Sequence, residues 1–215
     1  MLKRESLSEK LADIIGKKII HNELKSGEII METQISKEWG VSRSPVRDAL
    51  HMLETKYLVE RGPKGSYKVP EMSADYIENI YDTINMLYQY SFSRAAKRIT
   101  GDQKEYFRNI LETVESSVAN NDFDTYIEHI SNFGQTILEI AQNPIIEKIA
   151  LDLMPTAERI QYAAIKISPS HLKKACRKIR QIYNHISRND PQKAAGAFMD
   201  FANTSKAVII DEIGT

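Results

Sequence analysis

The amino-acid sequence predicts a mainly α-helical protein, in which an N-terminal winged helix-turn-helix is followed by a C-terminal antiparallel all-α bundle. Residues 1–70 contain three helical patterns and then two short strand patterns around a turn rich in glycine and proline. Residues 71–215 contain helical patterns only, which is typical of an antiparallel bundle. The change of pattern at Pro70-Glu71-Met72 places the boundary between the two predicted domains after residue 70.

The first two helices are marked by capping signals. Ser6 and Glu9 have the spacing of a capping box, and apolar residues then repeat at helical spacing to about His21. A second helix is expected over about 32–39. It ends at Gly40, because glycine adopts the positive φ of a helix end at the least cost.

A third helix and a hairpin complete the N-terminal pattern. Ser42 is a preferred N-cap residue, and Pro45 lies in the first turn, where a missing N–H has little effect. The buried face of this helix is formed by apolar residues at helical spacing, namely Val46, Ala49, Leu50 and Leu53. Short strands are expected at Tyr57–Glu60 and Ser66–Val69, with Arg61–Gly65 as the turn between them.

Helix-end signals divide residues 71–215 into five or six helices. These signals are Gly101-Asp102, Asn120-Asn121-Asp122, Asn143-Pro144, Ser168-Pro169 and Asn189-Asp190-Pro191. In three of them a proline directly follows Asn, Ser or Asp. That order is typical of an N-cap residue before a proline at the first helical position, so each of the three is expected to start a helix.

Composition and charge argue against a membrane protein and a secreted protein. The 215-residue chain has no net charge, but residues 1–70 contain 13 Lys and Arg against 10 Asp and Glu, so the basic part is N-terminal. No apolar run approaches the length of a membrane span, and the N-terminus lacks a signal-peptide pattern, so no membrane partner is expected. The single cysteine, Cys176, cannot form an intrachain disulfide, which fits a cytoplasmic location.

The sequence contains none of the common catalytic motifs. GxSxG, HExxH, CxxC and a phosphate-binding glycine loop are all absent. Cys176 precedes Arg177-Lys178, and nearby cations lower the pKa of a thiol, but a lone cysteine in a helix is far more often structural than reactive. The sequence therefore predicts a protein that is not an enzyme.

The turn at Gly40-Val41 joins two helices as in a helix-turn-helix, whose second helix usually enters the major groove of DNA. Arg43 and Arg47 are four residues apart and therefore share one helical face, where guanidinium groups can contact guanine or phosphate. The candidate DNA-binding residues are Ser42, Arg43, Ser44 and Arg47 on this helix, with Arg61 and Lys64 on the following turn. The alternative is that these charges are simply solvated.

The order of these residues resembles the signature of the GntR family of bacterial regulators. The segment Gly40–Arg47 is followed by Asp48-Ala49-Leu50 and Leu53-Glu54, and Leu24–Glu28 and Gly65–Val69 agree in order and spacing. The resemblance covers about residues 7–69. It implies that Arg43 and Arg47 contact DNA, that Ser42 and Ser44 assist, and that the wing glycine, Gly65, approaches the minor groove.

The sequence departs from the family pattern at three positions in this region. A helix-two position that is often arginine in the family is Thr33, the usual serine cap of that helix is Met31, and a glycine usual before the first wing strand is Tyr57. The helix-three residues are intact. We therefore keep Thr33 among the candidate DNA-binding residues and expect the departures to alter operator preference, not to abolish DNA binding.

Residues 73–215 resemble the helical domain of the FadR-like branch of the family, through Asn143-Pro144, the Asp190–Ala194 spacing and Arg94-Ala95-Ala96. Many members of that branch bind a divalent metal through one Asp and three His. In this sequence those four positions fall at Ile130, Gly134, Ile179 and Phe201, and an arginine and a glutamate common on the first helix fall at Ile84 and Tyr88. Such side chains do not ligate metals, so no metal and no cofactor are expected.

Two interpretations of these six candidate pocket positions stay open. They form either a filled core without a ligand or an apolar cavity for a hydrophobic or acyl effector. The resemblance implies a sequence-specific transcription regulator, a repressor by the family's default, that binds palindromic double-stranded operator DNA as a homodimer. The alternatives are a regulator without an effector pocket and a helical protein-interaction module.

Overall fold

The structure is a computed structural model that describes residues 6–167 and 169–213. The helices within those residues are α1 (Leu7–Ile20), α2 (Glu32–Trp39), α3 (Arg43–Thr55), α4 (Ala74–Ala96), α5 (Gly101–Ala119), α6 (Phe123–Ala141), α7 (Pro144–Ile167), α8 (Leu172–Ser187) and α9 (Pro191–Ile213). The strands are β1 (Ile29–Ile30), β2 (Glu60–Arg61) and β3 (Tyr67–Lys68), and 3-10 turns lie at Pro63–Gly65 and Pro169–His171. The predicted fold class, a winged helix-turn-helix followed by an all-α bundle, is confirmed.

The three strands form one antiparallel sheet in the order β1-β3-β2. The two predicted hairpin strands are shorter than expected, because Leu58 and Val59 leave the ladder and bury their side chains in the core. The sequence prediction missed β1, which pairs with β3 through Ile30 opposite Tyr67. A strand of two residues is too short to produce an alternating pattern, so its sequence carries no signal.

The N-terminal core packs α1 against α3 and the sheet. Ile15, Ile19 and Leu50 are almost completely buried in it. The capping box of α1 is confirmed, since the Ser6 hydroxyl accepts from the Glu9 amide at 3.2 Å and the Glu9 carboxylate accepts from the Ser6 amide at 2.6 Å.

The predicted cap of α3 is only partly correct. Ser42 occupies the N-cap position with an extended backbone, but its side chain makes no capping hydrogen bond. Val46 and Leu53 of the predicted buried face lie in the core together with Ala49 and Leu50.

The second core belongs to α4–α9, with α4 and α9 packed along each other. The predicted helix start at Asn143-Pro144 is confirmed, because the Asn143 side chain accepts from the Ile146 amide at 3.3 Å. The start at Asp190-Pro191 is confirmed in the same way by Asp190 and the Lys193 amide at 3.1 Å. Ser168 lies outside the described residues. In the described chain, no helix combines the length and apolarity of a membrane span.

Hydrogen bonds from α7 and α4 connect the two cores. The Arg159 side chain is 1% exposed, and its Nη2 donates to Ser26 Oγ and to the Pro70 carbonyl, both at 2.9 Å. One turn earlier, the Thr156 hydroxyl donates at 2.7 Å to the carbonyl of Lys56, the C-cap residue of α3. A fourth bond, from the Tyr76 hydroxyl of α4 to the carbonyl of Tyr57, the residue after that cap, adds to this attachment.

Candidate functional site

The first two turns of α3 present their arginines to solvent. The side chains of Arg43 and Arg47 are 59% and 55% exposed, and Ser42 and Ser44 beside them are exposed as well. The helix that carries them is fixed from behind by its buried apolar face. The exposed charges therefore lie on a rigid element with its N-terminal end facing outward, which is the geometry in which a helix meets a phosphate or a base edge.

A buried carboxylate holds both guanidinium groups in place. Glu32, the first residue of α2, accepts from Arg47 Nε and Nη2 at 3.0 Å each and from Arg43 Nη2 at 3.4 Å. The hydrogen bonds from Arg47 lower the pKa of Glu32, against the opposing effect of burial. Glu32 thus keeps the two arginines in defined rotamers before any ligand arrives.

The sequence prediction missed Glu32. Its partners lie 11 and 15 residues further along the chain, so no helical spacing connects them. The only signal is an acidic residue in the first turn of the helix that precedes the arginine-bearing one. That signal has an ordinary explanation in the helix dipole.

The other candidate DNA-binding residues lie on α2 and on the wing, the hairpin of β2 and β3. Thr33 is exposed on α2. Arg61 on β2 donates to Glu54 at 2.9 Å and lies over the Tyr67 ring, 4.6 Å from its centroid. Gly65 is exposed in the turn between β2 and β3 with φ at +76°. Lys64 belongs to the same turn, and its side chain is outside the described part of the structure.

Tyr57 occupies a backbone conformation that favours glycine. Its φ is +58°, in the left-handed region, and its side chain is half exposed. This is the position where the family usually has glycine, and the conformation supplies the physical reason. The chain therefore accepts some backbone strain directly after the C-terminal end of α3.

All six candidate pocket residues, Ile84, Tyr88, Ile130, Gly134, Ile179 and Phe201, lie around one cavity in the helical bundle. The cavity has a volume of about 130 Å³ and a mostly apolar wall contributed by α4, α6, α7, α8 and α9. A Cβ atom at Gly134 would lie 2.8 Å from the Tyr88 hydroxyl. Because Gly134 has no side chain, the Tyr88 hydroxyl can occupy this space. The six positions therefore border open space, while Ile84, Tyr88 and Ile179 among them are also buried in the bundle.

Cys176 does not have the environment of a reactive thiol. It is buried, and burial raises the pKa of its thiol to about 11. This outcome fits the structural role favoured from the sequence, since Arg177 is exposed and Lys178 pairs with Asp200. Within residues 6–167 and 169–213, no group of three or more His, Cys, Asp or Glu side chains is arranged to hold a metal ion.

A second exposed feature is an apolar face on α4 and α7. Met86 and Tyr90 of α4 and Ile145 and Ile149 of α7 are 67%, 39%, 68% and 44% exposed. The C-terminal end of α4 is joined here to the segment before α7, because Arg94 donates to the Tyr90 hydroxyl at 2.7 Å and to the carbonyl of Ala141, the last residue of α6, at 2.9 Å. Large apolar side chains that cluster at the surface usually mark a contact with another molecule.

Two family descriptions match this chain over most of its length. Residues 7–69 match the bacterial regulatory proteins of the gntR family, and residues 79–202 match the FCD domain. The gluconate operon transcriptional repressor of Bacillus subtilis (strain 168) is 26% identical over 166 residues, covering 77% of this chain and 68% of the relative. The transcriptional repressor RspR of Escherichia coli (strain K12) is 24% identical over 188 residues, covering 86% and 81%.

Solved structures share the fold over nearly the whole chain. McbR/YncC of E. coli superposes with a TM-score of 0.82 at 17% identity, covering 96% of this chain and 98% of that one. A GntR regulator from Rhodococcus sp. RHA1 superposes with a TM-score of 0.77 at 18% identity, covering 95% and 97%. These similarities show that both parts of the fold occur together in other proteins.

Proposed function

Because this chain belongs to the GntR family of bacterial regulatory proteins, in the branch whose second domain is an FCD domain, we propose that it represses transcription by binding palindromic operator DNA in the cytoplasm as a homodimer. It is a DNA-binding transcription regulator, as its relatives are. In this proposal residues 1–70 bind DNA. Residues 71–215 dimerise and bind an effector, and neither domain catalyses a reaction.

The observation that carries the DNA-binding proposal is the pair of exposed arginines near the N-terminal end of α3, held by Glu32. Arg43 and Arg47 contact base edges or phosphates in the major groove, because they are the outward cations of the second helix of a helix-turn-helix. The remaining proposed contacts are Ser42 and Ser44 beside them, Thr33 on α2, and Arg61, Lys64 and Gly65 on the wing. Gly65 lets the wing backbone approach a groove closely, since it has no side chain.

The homodimer is proposed to form through the apolar face of α4 and α7. A second copy of the same face would cover Met86, Tyr90, Ile145 and Ile149 by two-fold symmetry, as is usual for dimers. Joining two N-terminal domains makes the second half-site contact effectively intramolecular, so the affinity for a palindrome exceeds that of one domain.

The effector site is proposed to be the cavity of the helical bundle. It is a concave, largely apolar space with a few polar groups, which is the usual character of a small-molecule site. An effector that binds there acts on the operator only if it binds one arrangement of the dimer more tightly than another.

The DNA-binding proposal is tested by capturing genomic fragments bound to the wild-type protein and measuring the affinity of variants for them. We expect Arg43→Ala and Arg47→Ala each to weaken specific binding by roughly tenfold or more, since a bidentate base contact contributes about 1–3 kcal/mol. Arg177→Ala is the matched control, an exposed arginine on α8 that should bind like wild type. Wild-type affinity in both α3 variants would refute the proposed contact face.

The dimer is tested by light scattering after size-exclusion chromatography. Ile145→Glu and Ile149→Glu combined should yield a monomer with unchanged circular dichroism, because charges on a buried interface remain unpaired. Ile167→Glu is the control, because Ile167 is also an exposed isoleucine of α7, 56% exposed at the opposite end of the helix. A dimer that persists in the double variant places the interface elsewhere.

A further inference from the structure

The polar groups in the wall of the bundle cavity indicate which ligand it accepts. Besides its aromatic and aliphatic side chains, the cavity is lined by Asn85, Ser131, Glu158, Gln161 and Ser205. The lining formed by the described residues contains one carboxyl group and no Lys, Arg or His side chain. The site therefore has an acidic group and lacks the cation that would bind an anionic ligand.

The volume of the cavity restricts the size of the ligand. At about 130 Å³ it is close to an apolar cavity of about 150 Å³ that accepts benzene. Aromatic side chains, among them Tyr88, Phe92 and Phe198, form much of the wall. Because the cavity is partly open, it can hold one ring together with a short polar substituent, whereas a long acyl chain would exceed it.

Asn85 is the first polar group that lacks a partner. The residue is 5% exposed on α4, and its Nδ2 has no hydrogen-bond partner in the described structure. A buried amide donor without a partner costs about 1–3 kcal/mol, so such groups usually have a ligand or water to bind. An oxygen atom on the ligand would accept from this amide.

Glu158 is the second polar group. It lies on α7, where one carboxylate oxygen accepts a short hydrogen bond from the Ser131 hydroxyl of α6. Burial raises the pKa of Glu158, while Ser131 and the more distant Lys56 act in the opposite direction. Glu158 is partly buried and also borders the neighbouring space that Lys56 lines, but none of the described residues that line the bundle cavity is a cation that could pair with it there.

From this lining we infer that the cavity binds a small, single-ring amino alcohol, whose ammonium group pairs with Glu158 and whose hydroxyl accepts from Asn85. The inference rests on the proposed effector site and specifies its chemistry. A carboxylate ligand of the same size is disfavoured, because its charge would lie near Glu158 without a cation or metal to compensate it. The ring occupies the aromatic part of the wall.

Three size-matched probes test the inference on the wild-type dimer by isothermal titration calorimetry. They are 2-amino-1-phenylethanol, 1-phenylethane-1,2-diol and mandelate, which share the ring and the hydroxyl but carry a cationic, a neutral and an anionic head. We expect the amine to bind about tenfold or more tightly than the diol, since a charge-assisted hydrogen bond is about twice as strong as a neutral one. Mandelate should not bind.

Two substitutions assign the amine contact. Glu158→Gln should reduce the affinity for the amine to that for the diol. Glu128→Gln, which replaces an exposed carboxylate on α6 outside the cavity lining, should leave both affinities unchanged. Mandelate binding as tight as that of the amine, amine binding unaffected by Glu158→Gln, or binding of none of the probes would each overturn the inference.

The affinities of the three probes for the wild-type protein test the preference for an amine even if Glu158→Gln fails to fold. Measuring operator binding in the same variants distinguishes a failure of the proposed ligand from a failure of the proposed DNA-binding surface. If Arg43 and Arg47 remain essential for DNA binding while no amine binds, only the ligand chemistry is refuted. If DNA binding ignores both arginines, the proposed contact face fails whatever the cavity binds.

Discussion

The two candidate sites of this protein are built in opposite ways. The α3 surface has its charges in solvent and is organised by one buried carboxylate, Glu32, whereas the bundle cavity has mostly apolar walls and includes one buried amide, that of Asn85, whose nitrogen lacks a partner. The first arrangement suits a large, highly charged ligand that brings its own hydration and counterions. The second suits a small ligand that must itself satisfy the buried groups. The polar groups of the α3 surface therefore have their protein partners before a ligand binds, whereas the Asn85 amide of the cavity needs the ligand to supply one.

The largest expected effect concerns the connection between the two regions. Arg159→Ala removes the buried side chain that bonds to Ser26 and Pro70, and we expect a loss of about 2 kcal/mol in the free energy of unfolding. Urea unfolding followed by Trp39 fluorescence reports on the N-terminal core, and circular dichroism reports mainly on the bundle. In the variant the two transitions should separate.

Arg177→Ala is the control for this experiment, because its side chain is exposed. Surface substitutions usually change stability by less than about 0.5 kcal/mol. Coincident transitions at an unchanged midpoint in Arg159→Ala would mean that the buried arginine does not couple the two regions.

The exposure of Arg43 and Arg47 could be predicted from the sequence, because both lie close together in one helix. Arg43 and Arg47 lie one helical turn apart on a helix whose apolar face is equally regular, so spacing alone places them outward. The bundle cavity is assembled from five helices far apart in sequence, and only alignment with the FadR-like branch brought Ile84 and Phe201 to one site.

Spacing could not reveal contacts that depend on tertiary packing. The pairing of Glu32 with α3, the two-residue strand β1 and the open volume of the cavity all arise when separate elements meet. The places of Asn85 and Glu158 in the cavity wall depend in the same way on how α4 and α7 pack.

The next effect concerns the positioning of the arginines. Glu32→Gln leaves both cations in place but removes the charged acceptor, so we expect the ratio of specific to non-specific DNA affinity to fall about tenfold. Non-specific binding should be unchanged or stronger, because a negative charge near the phosphates is lost. Competition with random-sequence DNA measures this ratio. An equal loss of specific and non-specific affinity would indicate simple damage to the domain.

The ion pair between Glu32 and Arg47 also predicts that the stability of the protein depends on pH. The pKa of Glu32 is lowered from 4.5, so its pairing stabilises the folded state above that pH, and the stabilisation is lost as the pH falls through the lower folded-state value. At pH 7 the wild type should therefore unfold at higher urea than Glu32→Gln. The difference should shrink steadily below pH 4.5. A difference that persists at pH 2 would assign the effect to packing instead of charge.

The smallest expected effect lies between the two regions, at Tyr57. Tyr57→Gly relieves the positive φ but increases the freedom of the unfolded chain, so we expect a net stabilisation of less than about 1 kcal/mol. Tyr57→Ala is the control, since it shortens the side chain and keeps the strain. If the alanine variant is as stable as the glycine variant, the left-handed conformation costs little here.

The attachment of Thr156 to the carbonyl of Lys56 has a geometric consequence for the DNA-binding helix. The bond holds the rear end of a 13-residue helix whose other end carries Arg43, about 20 Å away at about 1.5 Å per residue. Any rotation of the helix about its held end therefore produces the largest movement at the end that carries Arg43. A tilt of about 10° at the held end moves the arginine by about 3.5 Å, roughly the separation of successive base pairs along one strand. The attachment of α3 to α7 therefore fixes the angle at which the helix presents Arg43, and with it the base pair that this arginine can reach.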